Sequence, residues 1–117
     1  PLDDRDAGVL ETARGTLLVT TFTSLAYEPS LTKAETLKPG DKGAWEPQRL
    51  KAWQTARDRI NASQRHAELG QWMLRSTDGG ITWSPRYSSI VNSPHGPIQR
   101  RNGRLLYAGK ELWTEQK

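Results

Sequence analysis

Ser76-Thr77-Asp78-Gly79-Gly80-Ile81-Thr82-Trp83 is the stretch whose reading decides the fold. Thr77 on one side and Ile81-Thr82-Trp83 on the other favour extended backbone, and Asp-Gly between two such runs is a strong hairpin signal. A carboxylate at Asp78 is placed to accept hydrogen bonds from the backbone N–H groups of its own turn. Gly79 and Gly80 take positive φ without the clash a Cβ would meet. Trp83 returns on the following strand with a large apolar surface. The stretch predicts a strand, a turn tied by its own carboxylate, and a second strand anchored by an aromatic ring.

Outward from this turn, the chain repeats itself. Gly8-Val9-Leu10-Glu11-Thr12-Ala13-Arg14-Gly15-Thr16-Leu17-Leu18-Val19 aligns with Gly96-Pro97-Ile98-Gln99-Arg100-Arg101-Asn102-Gly103-Arg104-Leu105-Leu106-Tyr107. Both copies read as strand, tight glycine turn, strand. Self-similarity of this kind marks repeat architectures, and propeller blades recur at about 40–50 residues. The spacing here is longer, and it falls into that range if residues 26–69 are an insertion. A first four-stranded unit then runs 5–12, 16–24, 71–76 and 81–89, with 96–99 and 104–108 opening a second. Leu17-Leu18-Val19-Thr20-Thr21-Phe22 has the β-branched and apolar character of a buried strand.

Within the insertion, Pro29, Pro39-Gly40 and Asp41-Lys42-Gly43 read as loop and turn. From Pro47 onward, Leu50, Trp53, Ala56, Arg57 and Ile60 recur at helical spacing. Pro47 suits a first helical turn, and Asn61-Ala62-Ser63-Gln64 reads as a break with a new cap. One short amphipathic helix, or two, is predicted there.

The 117 residues suffice for one ordinary domain, yet only 34% are hydrophobic and five are Trp, so few aliphatic side chains are available to fill a core. The lack of cysteine excludes disulfides. No apolar run approaches the ~20 residues needed to span a membrane, and no signal peptide is visible. The sequence opens on Pro1 and is read as an internal piece of a longer chain. The basic residues behind the net charge of +4 are spread along the chain, with acids interspersed among most of them, no aromatic-basic strand motif and no zinc spacing. Neither nucleic acid nor a membrane is expected as a partner.

The eight residues from Ser76 match the Ser-x-Asp-x-Gly-x-x-Trp pattern of the Asp-box, or bacterial neuraminidase repeat. Together with Gly15-Thr16-Leu17-Leu18, Leu74-Arg75-Ser76, His95-Gly96-Pro97-Ile98-Gln99 and Gly103-Arg104-Leu105-Leu106-Tyr107, they give a chain that resembles the sialidase (neuraminidase) superfamily, particularly bacterial sialidase-like proteins. The resemblance covers most of the chain outside the insertion. It implies an all-β fold, a six-bladed β-propeller of which residues 1–117 hold about one and a half blades of four-stranded antiparallel sheet. Residues 26–69 would be a loop and helical insertion in the first blade. It further implies exo-hydrolysis of terminal sialic acid-type sugars from glycans by the parent protein, without a cofactor, in a secreted or periplasmic setting. The remaining blades of the parent would be its structural partners. A non-catalytic Asp-box propeller that binds carbohydrate or protein is the alternative. A blade and a half leaves open sheet edges, so the isolated chain is expected to be inactive and marginally stable or aggregation-prone.

The resemblance also sorts the site residues. Ser76, Asp78, Gly80 and Trp83 form the structural Asp-box, on the face away from substrate, while the insertion and residues 92–97 border the cleft. Sialidases grip the substrate carboxylate with three arginines, because guanidinium offers permanently charged bidentate donors. Arg5 stands where the first would be, about ten residues before the Gly15 turn, but is followed by Asp6-Ala7 where the family has Ile-Pro; it is either that arginine or a surface one. The family's acid/base aspartate has no counterpart, and Glu68 lies nearest, as a substitute acid or a solvated helix end. The nucleophilic tyrosine, its glutamate partner and the other two arginines would lie in later blades. His95, between two prolines, contacts a substrate hydroxyl or stabilises its turn; His66 faces solvent. No metal-ligand spacing is present. Tyr27, Tyr87, Tyr107, Trp72, Trp83 and Trp113 are expected to pack, whereas Trp45 and Trp53 offer a sugar-stacking surface.

Overall fold

A computed structural model of the chain describes residues 1–110, so Trp113 lies outside the described residues. Strands β1 (Asp3–Glu11), β2 (Leu17–Ser24), β3 (Gly70–Ser76) and β4 (Tyr87–Ser88) form one antiparallel sheet in the order β1-β2-β3-β4. Strands β5 (Ile98–Gln99) and β6 (Leu105–Leu106) pair separately as a two-stranded antiparallel ribbon. Helices α1 (Glu28–Thr36), α2 (Pro47–Arg57) and α3 (Ala62–Ala67) fill the segment between β2 and β3. The chain divides into two compact units, a helical one (Pro1–Asp3 with Ser24–Leu69) and a sheet one (Asp4–Thr23 with Gly70–Lys117).

In the sheet unit, β2 and β3 pair from Leu17↔Ser76 to Thr23↔Gly70. Residues two apart on a strand share a face, and Leu18 and Thr20 are buried accordingly. On the opposite face a side-chain relay crosses three strands. Thr23 Oγ1 donates to Asp4 Oδ1 at 2.6 Å and accepts from Trp72 Nε1 at 2.9 Å. The Arg86 guanidinium lies 4.1 Å from the centre of the Trp72 ring, at cation–π distance. Gly70 is small because Trp72 demands it: a Cβ there would come within 2.4 Å of the indole.

Two strand expectations are corrected. The fourth strand is Tyr87–Ser88 and not 81–89, because Ser84 is hooked back onto Arg75 before Pro85, which has no N–H to donate. Ser84 N–H donates to Arg75 O at 2.8 Å, and Arg75 N–H donates to Ser84 Oγ at 3.0 Å. The last strand is likewise Leu105–Leu106 and not 104–108.

The insertion holds three helices, more than the one or two expected. Helix α1 occupies ground read as loop: Pro29 sits in its first turn, where a missing N–H costs nothing, and is therefore a start signal. Leu31 and Ala34, three apart on α1, are 0% and 3% exposed. Helix α2 starts at Pro47 as expected but has no buried residue. Helix α3 carries the expected cap. Gln64 N–H donates to Asn61 Oδ1 and Asn61 N–H donates to Gln64 Oε1, both at 2.9 Å, which is a reciprocal capping box. Arg65 is buried but fully engaged, donating to Glu28 Oε1 at 2.6 Å, to Ile60 O at 2.7 Å and to Arg57 O at 3.1 Å.

Candidate functional site

The Asp-box turn is built as its residue types require. Ser76 Oγ, on a buried residue at the end of β3, donates to Asp78 Oδ1 at 2.8 Å and accepts from Gly80 N–H at 2.9 Å. Thr82 N–H donates to both Asp78 carboxylate oxygens, at 2.9 and 3.1 Å, and Thr82 Oγ1 donates to Oδ2. The Thr82 hydroxyl, the Thr82 amide and Ser76 together hold the Asp78 carboxyl down at about 2. Gly79 and Gly80 have φ of 74° and 89°. Trp83 closes the loop by donating from Nε1 to Gly80 O at 3.1 Å. Every polar atom of Asp78 that a catalyst would need is consumed by this turn, so the carboxylate acts as a staple. Thr82 is the partner that reading the motif alone did not single out.

The internal repeat reappears as matched turns. Thr12 N–H donates to Thr16 O at 2.9 Å and Gly15 N–H to Thr12 O at 2.8 Å; Arg100 N–H donates to Arg104 O at 2.8 Å and Gly103 N–H to Arg100 O at 2.9 Å. The turn glycines, Gly15 and Gly103, have φ of 80° and 81°. Each turn thus closes with the same bonds and the same left-handed glycine. Gln99 ties the copies together: its Oε1 accepts from Ala13 N–H at 2.7 Å and its Nε2 donates to Gly103 O at 3.1 Å. Gly8 and Gly96, aligned in sequence, meet in space. A Cβ on Gly8 would lie 2.7 Å from the Gly96 backbone and 2.8 Å from Thr20 Oγ1. That hydroxyl is fully buried and has no hydrogen-bond partner among the described residues.

Arg5 and His95 flank the Gly8–Gly96 contact in sequence, and both are exposed. Arg5 O accepts from Thr21 Oγ1 at 2.8 Å, which fixes the backbone of β1 there. Asp6, next to it, has φ of 51°, the one positive value outside glycine among the described residues. His95 rides a loop pinned on both sides. Asn92 exchanges backbone hydrogen bonds with Lys110 at 2.9 and 3.0 Å, Ser93 N–H donates to Tyr107 Oη at 3.2 Å, and Gly96 N–H reaches Ser93 O at 3.4 Å. Tyr107 therefore holds the loop through its hydroxyl, whereas Tyr87 and Trp83, also expected to pack, are 44% and 41% exposed. Glu68 belongs to the helical unit, half-buried at the C-cap of α3, where its N–H donates to Arg65 O at 3.2 Å. His66 is exposed on α3.

The helical unit has an aromatic hollow of its own. Trp53 stands edge-on to Trp45 (ring centres 5.1 Å apart) and to Tyr27 (6.1 Å). The Arg49 guanidinium lies 4.1 Å from the centre of the Trp45 ring and 5.7 Å from that of Trp53, so one cation reaches both rings expected to offer a stacking surface; Trp53 is exposed and Trp45 half-buried. Beside Trp53 is a hollow of about 470 Å³, lined also by Tyr27, Ala52, Ala56 and Arg57. Arg57 is held there by Glu35 (2.5 Å) and Asp58 (2.9 Å), whose bonds lower both carboxyls. Burial, with Glu28 second, raises the Tyr27 hydroxyl, which donates to Pro1 O at 2.7 Å.

Among the described residues no cluster of His, Cys, Asp and Glu is arranged to hold a metal ion, and no helix is long and apolar enough to cross a membrane. Comparison of the chain with protein-family models, with curated proteins and with solved structures gives no match.

Proposed function

We propose that this chain is part of a sialidase-like β-propeller that removes terminal sialic acid-type sugars from glycans. The observation that carries the reading is the stapled Asp-box on the β3–β4 connection of a four-stranded sheet, followed by a hairpin that repeats the turn of the first. In this reading β1 to β4 are one blade and β5–β6 begin the next, with the remaining blades supplied by the parent chain. Arg5 would offer bidentate donors to the substrate carboxylate. His95 would meet a sugar hydroxyl, and Glu68 is the candidate acid. Glycosidases of this kind divide the chemistry between paired groups, so the tyrosine, its glutamate and two further arginines are sought in later blades.

The alternative is a propeller that binds carbohydrate or protein without cleaving it. Asp6 favours it, because an acid with a left-handed backbone stands directly after the arginine that would receive an anion. Incubating the full-length protein with a fluorogenic sialoside separates the two. Release of fluorophore that falls at least tenfold in Arg5→Ala supports the hydrolase, since a charged bidentate contact is worth about 1.5–3 kcal/mol. A folded protein that binds the sialoside without turnover supports the alternative.

A further inference from the structure

Three turns meet at one end of the sheet unit. Leu17 pairs with Ser76, so the β1–β2 turn and the Asp-box turn leave the sheet at the same edge. The bond from Ala13 to Gln99 brings the β5–β6 turn beside them. Arg14 rides on the first turn, and Arg100, Arg101 and Arg104 on the third; all four are exposed, and none forms an ion pair among the described residues. Among the described residues the acids on or beside these turns are Glu11 and Asp78, and Asp78 is committed to Ser76 and Thr82. From Gly79 to Lys110 the sequence contains no Asp or Glu at all. On the middle turn Ile81 is 84% exposed and Trp83 41%.

We propose that this end of the sheet unit docks on an anionic membrane surface. The guanidinium groups match lipid phosphates and carboxylates, Ile81 enters the boundary between headgroups and acyl chains, and Trp83 lies at headgroup depth. Charge alone would equally suit a nucleic acid or a sulfated polysaccharide. The apolar tip decides for a membrane, since neither of those polymers offers an apolar layer to receive Ile81. The expectation that the protein has no membrane partner rested on the length of apolar runs, which speaks to spanning and not to surface docking. This proposal is independent of whether the protein cleaves glycans.

The test is co-sedimentation of the full-length protein with phosphatidylcholine vesicles containing about 30 mol% phosphatidylserine, against phosphatidylcholine alone. Binding is expected only to the anionic vesicles and weakens as salt rises. Arg100→Gln with Arg101→Gln lowers the affinity about thirtyfold, at about 1 kcal/mol for each charge near the surface. Ile81→Ser lowers it further while leaving the salt dependence unchanged. Near-UV circular dichroism checks the fold, and Arg14→Gln with Arg104→Gln serves if the first pair disturbs it. A folded protein that ignores the anionic vesicles, or binds them equally after the arginines are replaced, overturns the proposal. So does binding of a sulfated oligosaccharide or a single-stranded RNA without vesicle binding.

Discussion

The two units solve the shortage of aliphatic residues in opposite ways. The helical unit closes a small core on Leu31 and Ala34 and satisfies its buried cation with three acceptors. The sheet unit is held by its backbone ladder and by polar staples at its turns, and, apart from the tip of the Asp78 turn, it leaves Val9, Ile90 and Ile98 more than half exposed. An apolar core tolerates little loss of volume, whereas a stapled sheet depends on close backbone contact and hydrogen bonding. The unfinished apolar surface belongs to the sheet unit, as the proposal that further blades complete it requires.

The comparison is broken most severely by emptying the helical core. Leu31→Ala should cost about 2–5 kcal/mol, and hydrogen exchange should show the loss of protection in α1 with β2 and β3 retained. Equal loss in β3 would mean that the units do not have separate cores. Next is Gly8→Ala, expected to cost about 1–3 kcal/mol in denaturant unfolding. The Cβ would meet the backbone of Gly96, which has no flexible end to move aside. A neutral result would remove the contact between the two repeats. Smaller, and of opposite sign, is Thr20→Val, which keeps the shape and deletes the buried hydroxyl that lacks a partner. It should raise stability by about 1 kcal/mol, and a loss of that size would show the hydroxyl to be engaged.

The smallest effect is that of pH. The Asp78 carboxyl is held at about 2, below its ordinary 3.8. Its stabilising contribution is therefore complete above the ordinary value and is lost as pH falls from there through about 2. Thermal unfolding of the native chain should decline more steeply over that window than that of Asp78→Asn, and by little, because the group is exposed. Parallel curves for the two proteins would mean that the staple carries no stability.

Much of the sheet unit was legible in the sequence because its signals are local. The repeated strand–turn–strand pattern and the β-branched, apolar run from Leu17 to Phe22 marked β1 and β2, and Asp-Gly with its flanking β-formers marked the Asp78 turn. The glycines at positions 15 and 103 marked the twin hairpins. Helix α1 was missed because Pro29 has two meanings, loop breaker and first-turn residue, and the burial of Leu31 and Ala34 that separates them is tertiary. The fourth strand was overextended because the hook of Ser84 onto Arg75, across the Asp78 turn, is a contact between residues that no local pattern pairs. Gln99, the Gly8–Gly96 contact and the gathering of arginines from distant turns depend on chain segments far apart in sequence, which no local pattern encodes. Of the candidate site, the Asp78 carboxylate accepting from its own turn was readable, while its Thr82 and Ser76 partners and the environments of Arg5, Glu68 and His95 were not.

The most direct test of the central claim is an experimental structure of the full-length protein. The account predicts that β5 and β6 form the inner half of a second four-stranded sheet, laid beside the first around a common axis, with the Asp78 turn on its outer rim. A structure in which β5 and β6 remain an isolated ribbon, or join the edge of the β1–β4 sheet, would contradict it.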